Sequence, residues 1–204
     1  MPHDLQSWNA RHREAASRPP PPAAFLVESF PLLPRPSAHS CALDLACGAG
    51  QNSIFVAERG WPALAVDFSP AALDRAATLA ASRQLSARRG TLHDAPHRFS
   101  GILLVEADLE TVTLPAAAFD LIFCFQYLDR RLFPQIERAL RSGGHLLYET
   151  FTDLQLARHE GPHNPDHLLH PGELRAAFPR LDVLFYRECQ SPRAIASLFA
   201  RRST

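Results

Sequence analysis

The chain has 204 residues, 46% of them hydrophobic, and its 21 acidic and 21 basic residues give a formal net charge of zero. That length fits one α/β domain with a full core, or at most two very small ones. The balanced charge argues against duplex DNA or an anionic membrane surface as the main partner, since both need net or clustered positive charge. All 21 basic residues are arginine, which we attribute to codon bias.

The polar N-terminus, MPHDLQSWNARHREAA, lacks the apolar centre of a signal peptide. No apolar run reaches the roughly 18 residues of a membrane span. Cys41, Cys47, Cys124 and Cys189 are scattered and form no CxxC pair, so they read as reduced thiols of a cytoplasmic protein.

Residues 5–18 suit a short helix, which Pro19 to Pro22 stop and follow with a stiff extended connector. Pro34 and Pro36 then bound the entry to the core. CALDLA (41–46) reads as a buried strand ending in the small-residue turn CGAGQN. SIFVAERG (53–60) continues as a helix closed by Gly60. ALAVD (63–67) is a second strand. Ser69 suits the N-cap, and Pro70 the first turn, of the Ala-rich helix that follows. Residues 84–101 are too long for an ordinary helix-to-strand loop and read as a surface excursion with a small strand or an extra turn.

GILLVEAD (101–108) and FDLIFCF (119–125) are the third and fourth strands. DRRLFPQIERALRSGG (129–144) reads as a helix closed by two glycines, and HLLYETF (145–151) as the fifth strand. Strands alternating with helices at this spacing imply βαβ units, hence a parallel sheet with helices on both faces. Near the end come a short helix, GELRAAF (172–178), and two strands, 181–189 and 193–202. Their short link cannot make a parallel crossover, so they pair antiparallel.

In open α/β sheets a ligand binds at the carboxyl ends of the strands. Gly48 and Gly50 stand between the first strand and its helix, where glycine permits a tight turn and close backbone approach. An acid falls at each of three successive strand ends. Asp67, 17 residues beyond Gly50, stands where a carboxylate accepts ribose hydroxyls. Asp108 suits the exocyclic amine of an adenine, with Leu109 on the ring. Asp44 orders the glycine turn or meets an ammonium group, and Phe68 covers an adenine face. Each acid alone would pass as a solvated strand end or a helix cap. A dinucleotide fingerprint needs a third Gly or Ala where Ser53 stands, and a Walker loop needs a lysine that the chain lacks.

DLACGAGQNS, AVDFS, EADLE, FDLIFCFQYLDR and LRSGGHLLYETF resemble the successive motifs of class I S-adenosylmethionine (SAM)-dependent methyltransferases. The resemblance implies a Rossmann-like three-layer α/β sandwich with a seven-stranded, mostly parallel sheet of order 3-2-1-4-5-7-6 and strand 7 antiparallel. It implies SAM as cofactor. Ala46, Cys47, Gly48, Gly50 and Asn52 would cradle its methionine part, Asp67, Phe68 and Ser69 its ribose side, Asp108 and Leu109 its adenine, and Phe125, Gln126 and Tyr127 would lie beside the sulfonium. Within the superfamily the chain is most similar to small bacterial methyltransferases of the tellurite-resistance type. WNARHREA (8–15) resembles their N-terminal helix, with Asn9 and His12 where those have Asp and Tyr. Trp8 would pack near the methionine end and Arg13 reach its carboxylate. Trp8 as a mere staple for the helix is the alternative. NPDHLLHPGELRAAF (164–178) resembles a segment that walls the substrate pocket, and His163 just before it, with His170 and Glu173 within it, are the candidate substrate-loop residues. The expected division is 1–40, an N-terminal helix and Pro-rich lid or connector, and 41–204, the SAM-binding domain.

Methyl transfer from a sulfonium chiefly needs positioning and exclusion of water. A thiolate or a chalcogen oxyanion needs no general base, whereas an amine or a phenol does. Tyr127 and Glu149 are the catalytic candidates by position. Glu149 reads equally as a strand-end hydrogen-bonding residue, and Glu173 as the anchor of its short helix. His159, His163, His167 and His170 form a metal-like spacing, but Pro162 and Pro165 break the helix that would align them, so no metal is expected. Zero net charge and FQYL in place of a PPY-type tetrapeptide favour a small-molecule acceptor. An RNA or protein methyltransferase, with a basic groove of Arg88, Arg89 and Arg98, is the second reading, and a non-catalytic SAM-binding module the third. A nicotinamide enzyme is the outsider. The sequence leaves monomer and homodimer open.

Overall fold

The computed structural model describes residues 5–14, 20–94, 99–158 and 161–203. Eight strands form one sheet: β1 (Ala42–Leu45), β2 (Ala63–Asp67), β3 (Ala87–Arg89), β4 (Ile102–Glu106), β5 (Phe119–Phe125), β6 (Leu140–Phe151), β7 (Leu181–Cys189) and β8 (Ile195–Arg202). Their order is β3-β4-β2-β1-β5-β6-β8-β7. This is the expected order with one strand added at the edge. β3 comes from the long segment after residue 84 and pairs parallel with β4. β8 runs antiparallel to both β6 and β7, as the short hairpin link requires.

The helices are α1 (Leu5–Glu14), α2 (Ala24–Ser29), α3 (Gln51–Ala57), α4 (Pro70–Ser82), α5 (Phe133–Ala139) and α6 (Glu173–Ala176). Alternation along the strands sorts the core into two faces. Leu43, Leu45, Val66, Val105, Ile122 and Tyr148 meet Phe133, Ile136 and Phe178 on one side. Ala42, Leu121, Phe123 and Leu147 meet Phe25, Leu26, Phe55 and Trp61 on the other, where Ala65, Ile102 and Leu104 also receive Leu73, Ala76 and Ala80 of α4. The alanines of α4 therefore let that helix sit close on the sheet.

The helix expected over 129–144 is shorter. Asp129 caps a 3-10 turn over Arg130–Leu132 by accepting from the Arg131 N–H, and α5 begins with Pro134 in its first turn, the place where a missing N–H costs nothing. Residues 140–144 are strand, not helix. Gly143 has φ +75°, and a Cβ at Gly144 would stand 2.8 Å from the Arg141 carbonyl. The register slips beside them, between Phe119 and Leu121, so the glycines serve a bulged strand start. α2 and its 3-10 extension Phe30–Leu32 lie in a segment whose only legible sequence signal was its prolines. Among the described residues no helix is long and apolar enough to cross a membrane.

Candidate functional site

β1 ends in a turn with three left-handed residues: Ala46 at φ +57°, Gly48 at +54° and Gly50 at +77°. The alanine carries strain of order 1 kcal/mol. Cys47 N–H bonds the Val66 carbonyl at 2.9 Å, and Gly48 N–H donates to Asp67 Oδ2 at 2.8 Å. Asp67 Oδ1 accepts from Ser69 N–H at 2.9 Å. The second strand end thus pins the glycine turn. Burial pushes the Asp67 carboxyl up from its ordinary value, against the pull of these amides.

Above the turn lies a cavity of about 300 Å³. Its walls include Trp8, Ala46, Cys47, Gly48, Asn52, Asp67 and Phe68, and, from the ends of β4 and β5, Asp108, Leu109, Phe125, Gln126 and Tyr127. The sequence had selected all of these. Asp108 Oδ1 accepts the Glu110 N–H at 2.9 Å, which shapes the turn that places Leu109. Gln126, at φ +59°, closes β5 by donating its N–H to the Glu149 carbonyl at 2.8 Å. Burial pushes the Tyr127 phenol up from its ordinary value, so it stays protonated, and burial likewise pushes the Cys47 thiol well up.

The remaining wall of the cavity is built from distant sequence. α1 contributes Trp8 and His12, and the connector Pro20, Pro21 and Ala23. Asn9 Oδ1 accepts the Ser69 hydroxyl at 2.6 Å, and Arg75 Nη1 bonds the His12 carbonyl at 2.8 Å. Ala23 N–H donates to Asn52 Oδ1 at 2.8 Å. Burial lowers the pKa of His12, leaving its ring neutral at pH 7. Sequence reasoning missed Gln51, Pro20, Pro21 and Ala23 as wall residues. Gln51 directly follows Gly50, and its place at the helix entrance was the available signal.

Other selected residues stand outside this cavity. Asp44 is buried beneath the turn, where Ser53 Oγ bonds its Oδ2 at 2.6 Å. Loss of solvent raises its pKa to about 8. Gly50 backs onto Ala76 of α4, and Ser69 caps that helix. Arg13 lines a separate groove along α4 with Pro70 and Asp74. Glu149 borders neither this cavity nor the chamber below. Its Oε2 accepts the Ser197 hydroxyl at 2.5 Å, with Arg187 at 4.0 Å, and burial raises its pKa. Glu173 pairs with both Arg130 Nε and Nη2 and accepts the His170 N–H at 2.8 Å. Burial works against it, yet these donors bring its pKa below the ordinary value. His170 is exposed, 3.2 Å from Asp153. Arg89 pairs with Asp74 at 2.6 Å beside Arg88 on β3. Arg98 and His159 lie outside the described residues.

A second chamber of about 830 Å³ shares Trp8, Gln126 and Tyr127 with the first cavity. His163 lines it, together with His167 and Arg158. Arg130 ties this wall down by bonding the carbonyls of Asp166 and Leu168. Among the described residues no group of three or more His, Cys, Asp or Glu is placed to hold a metal ion.

The first cavity fits SAM on a point independent of resemblance. Gln51 Oε1 is buried in its wall with no hydrogen-bond partner among the described residues, a costly arrangement that a bound donor such as an ammonium relieves. Asp67 would hold the ribose hydroxyls, and Asp108 with Leu109 the adenine. When bound, the group supplies an activated methyl on a sulfonium.

The family described as "Methyltransferase domain" matches residues 43–148, a little over half of the chain. Malonyl-[acyl-carrier protein] O-methyltransferase of Herminiimonas arsenicoxydans is 31% identical over 137 residues, 64% of this chain and 43% of that protein. The protein of that name from Paenibacillus sp. (strain JDR-2) is 32% identical over 53% of this chain and 38% of its own length. The chain therefore spans less than half the length of these curated relatives. A SAM-dependent methyltransferase structure from Mesorhizobium loti superposes with a TM-score of 0.64 at 22% identity, over 88% of this chain and 98% of that one.

Proposed function

The chain belongs to the class I SAM-dependent methyltransferases, and from that premise we propose that it transfers the methyl group of SAM to a small-molecule acceptor seated in the second chamber. The observation that carries this reading is the shared wall. Trp8, Gln126 and Tyr127 border both cavities, so an acceptor in one would meet the sulfonium end of a donor in the other. Such adjacency is what a reaction governed by positioning requires. Thiols and chalcogen oxyanions are the first acceptor classes, in keeping with the likeness of residues 8–15 to the tellurite-resistance type. Residues 1–40 would act as the lid and connector and 41–204 as the SAM-binding domain.

An acyl acceptor carried on a protein is the second reading, favoured by the named activity of the curated relatives. Thermal unfolding with SAM, S-adenosylhomocysteine or NAD tests the cofactor. A ligand at a hundred times its Kd adds about 2.7 kcal/mol, a rise of roughly 5–10 °C for a domain this size. The two SAM compounds are expected to give that rise and NAD none. Formation of S-adenosylhomocysteine is then followed with thiols, selenite and carboxylic acids in turn. No shift with either SAM compound would sink the reading.

A further inference from the structure

We propose that the second chamber is an oxyanion site in which Arg158 and Arg193 hold a negatively charged acceptor. The inference rests on the reading above and deepens it to a substrate class. Three arginines, Arg11, Arg158 and Arg193, line the chamber with His163 and His167, and among the described residues no Asp or Glu lines it. Several arginines outside the chamber pair with carboxylates: Arg89 with Asp74, Arg130 with Glu173, Arg131 with Asp129 and Arg141 with Asp120. None of the three chamber arginines makes such a pair among the described residues. Arg158 Nη1 donates to the Pro192 carbonyl at 2.9 Å, which holds its guanidinium next to the segment that carries Arg193 and leaves its other N–H groups to donate. Arg11 lies over the Trp8 ring, 4.3 Å from its centroid. Glu149 feels Arg193 electrostatically, but its carboxylate is already engaged by Ser197.

Guanidinium groups gathered in a partly apolar recess are a recognition element for carboxylates and related oxyanions. The remaining walls, including Trp8, Leu128 and Phe151, suit a compact organic body. The chemistry agrees with a lining in which, among the described residues, no carboxylate stands as a base. An ionised acceptor uses an oxygen lone pair to form the bond to the methyl carbon. The C–S bond breaks, its electron pair neutralises the sulfonium, and no proton needs removal. The product carries one negative charge fewer than the acceptor, which weakens its hold on the arginines and favours its release.

The test is a fluorescence titration, at constant ionic strength, of protein saturated with S-adenosylhomocysteine, using Trp8 on the chamber wall as reporter. Benzoate, its neutral counterpart benzamide, and selenite are the probes. Benzoate or selenite is expected to bind at least tenfold more tightly than benzamide, and the preferred anion separates an organic from an inorganic source. R158Q/R193Q should weaken anion binding at least tenfold and leave S-adenosylhomocysteine affinity unchanged. R193E, at an exposed position, gives the same direction should the double variant fold poorly. Equal affinity for benzoate and benzamide, no saturable anion binding, or unaltered binding in the variants would overturn the oxyanion site. Failure of the unmodified protein to bind S-adenosylhomocysteine would instead overturn the methyltransferase reading.

Discussion

Gly48 donates its backbone N–H to the carboxylate of Asp67 over 2.8 Å, joining the turn after β1 to the end of β2. One carboxylate thereby fixes the loop and faces the cavity. Asp67→Ala removes both roles and leaves the N–H groups of Gly48 and Ser69 without their acceptor. Hydrogen bonds to charged groups contribute about 1.5–3 kcal/mol, so S-adenosylhomocysteine affinity should fall at least tenfold by calorimetry, with a lower Tm. Unchanged affinity would place the ribose elsewhere.

The two glycines of that turn have different tasks. A Cβ at Gly50 would stand 2.7 Å from Ala76 Cβ inside the α4 contact, whereas one at Gly48 would meet only His12 Cε1, at 3.8 Å. Both have positive φ, so alanine strains each backbone by about 1 kcal/mol. Gly50→Ala adds overpacking of about 1–3 kcal/mol. Its Tm should therefore fall by roughly twice as much as that of Gly48→Ala, or more. Equal losses in thermal unfolding would show that α4 yields to the extra methyl.

This turn and the strand ends were legible because they are local. A strand's carboxyl end puts Asp67 and Asp108 where a parallel sheet binds ligands, and the GAG triplet needs only its neighbours to be read. The lid and the second chamber were not. Asn9 meets Ser69 across 60 residues, and Arg11, Arg158 and Arg193 converge from three segments that no periodicity links. The helix expected to run to Gly144 failed similarly. LRSGG carries no local preference strong enough to outweigh a pairing partner in β5.

Asp44 gives a pH dependence of definite sign. Its folded pKa of about 8 lies above its unfolded value, near 3.9. Between these values the unfolded chain has released a proton that the folded chain retains. Stability from this group is therefore full below about pH 4 and is lost as pH rises through about 8. Asp44→Asn keeps an acceptor for the Ser53 hydroxyl and removes the titration. Urea unfolding at pH 5 and pH 8 should show a smaller loss of stability in the variant than in the parent. Equal losses would mean that Asp44 is ionised when folded.

The last prediction concerns the lid. α1 has no fully buried residue; its Asn9 Oδ1 accepts from the Ser69 hydroxyl and the Ala71 N–H, and Arg75 bonds its His12 carbonyl. A helix that buries no side chain completely opens below the global unfolding threshold. Each bond is worth about 0.5–1.5 kcal/mol. Asn9→Ala should therefore leave the Tm of the protein without ligand within about 2 °C, because the core it leaves behind is intact. It should also raise the dissociation rate of S-adenosylhomocysteine by roughly 2–10-fold, since Trp8 and His12 on α1 form part of the cavity wall. Stopped-flow displacement measures that rate. Arg75→Ala, acting through the His12 carbonyl, should move the rate in the same direction. Rates equal to the parent in both variants would show that α1 is fixed by other contacts and does not gate the site.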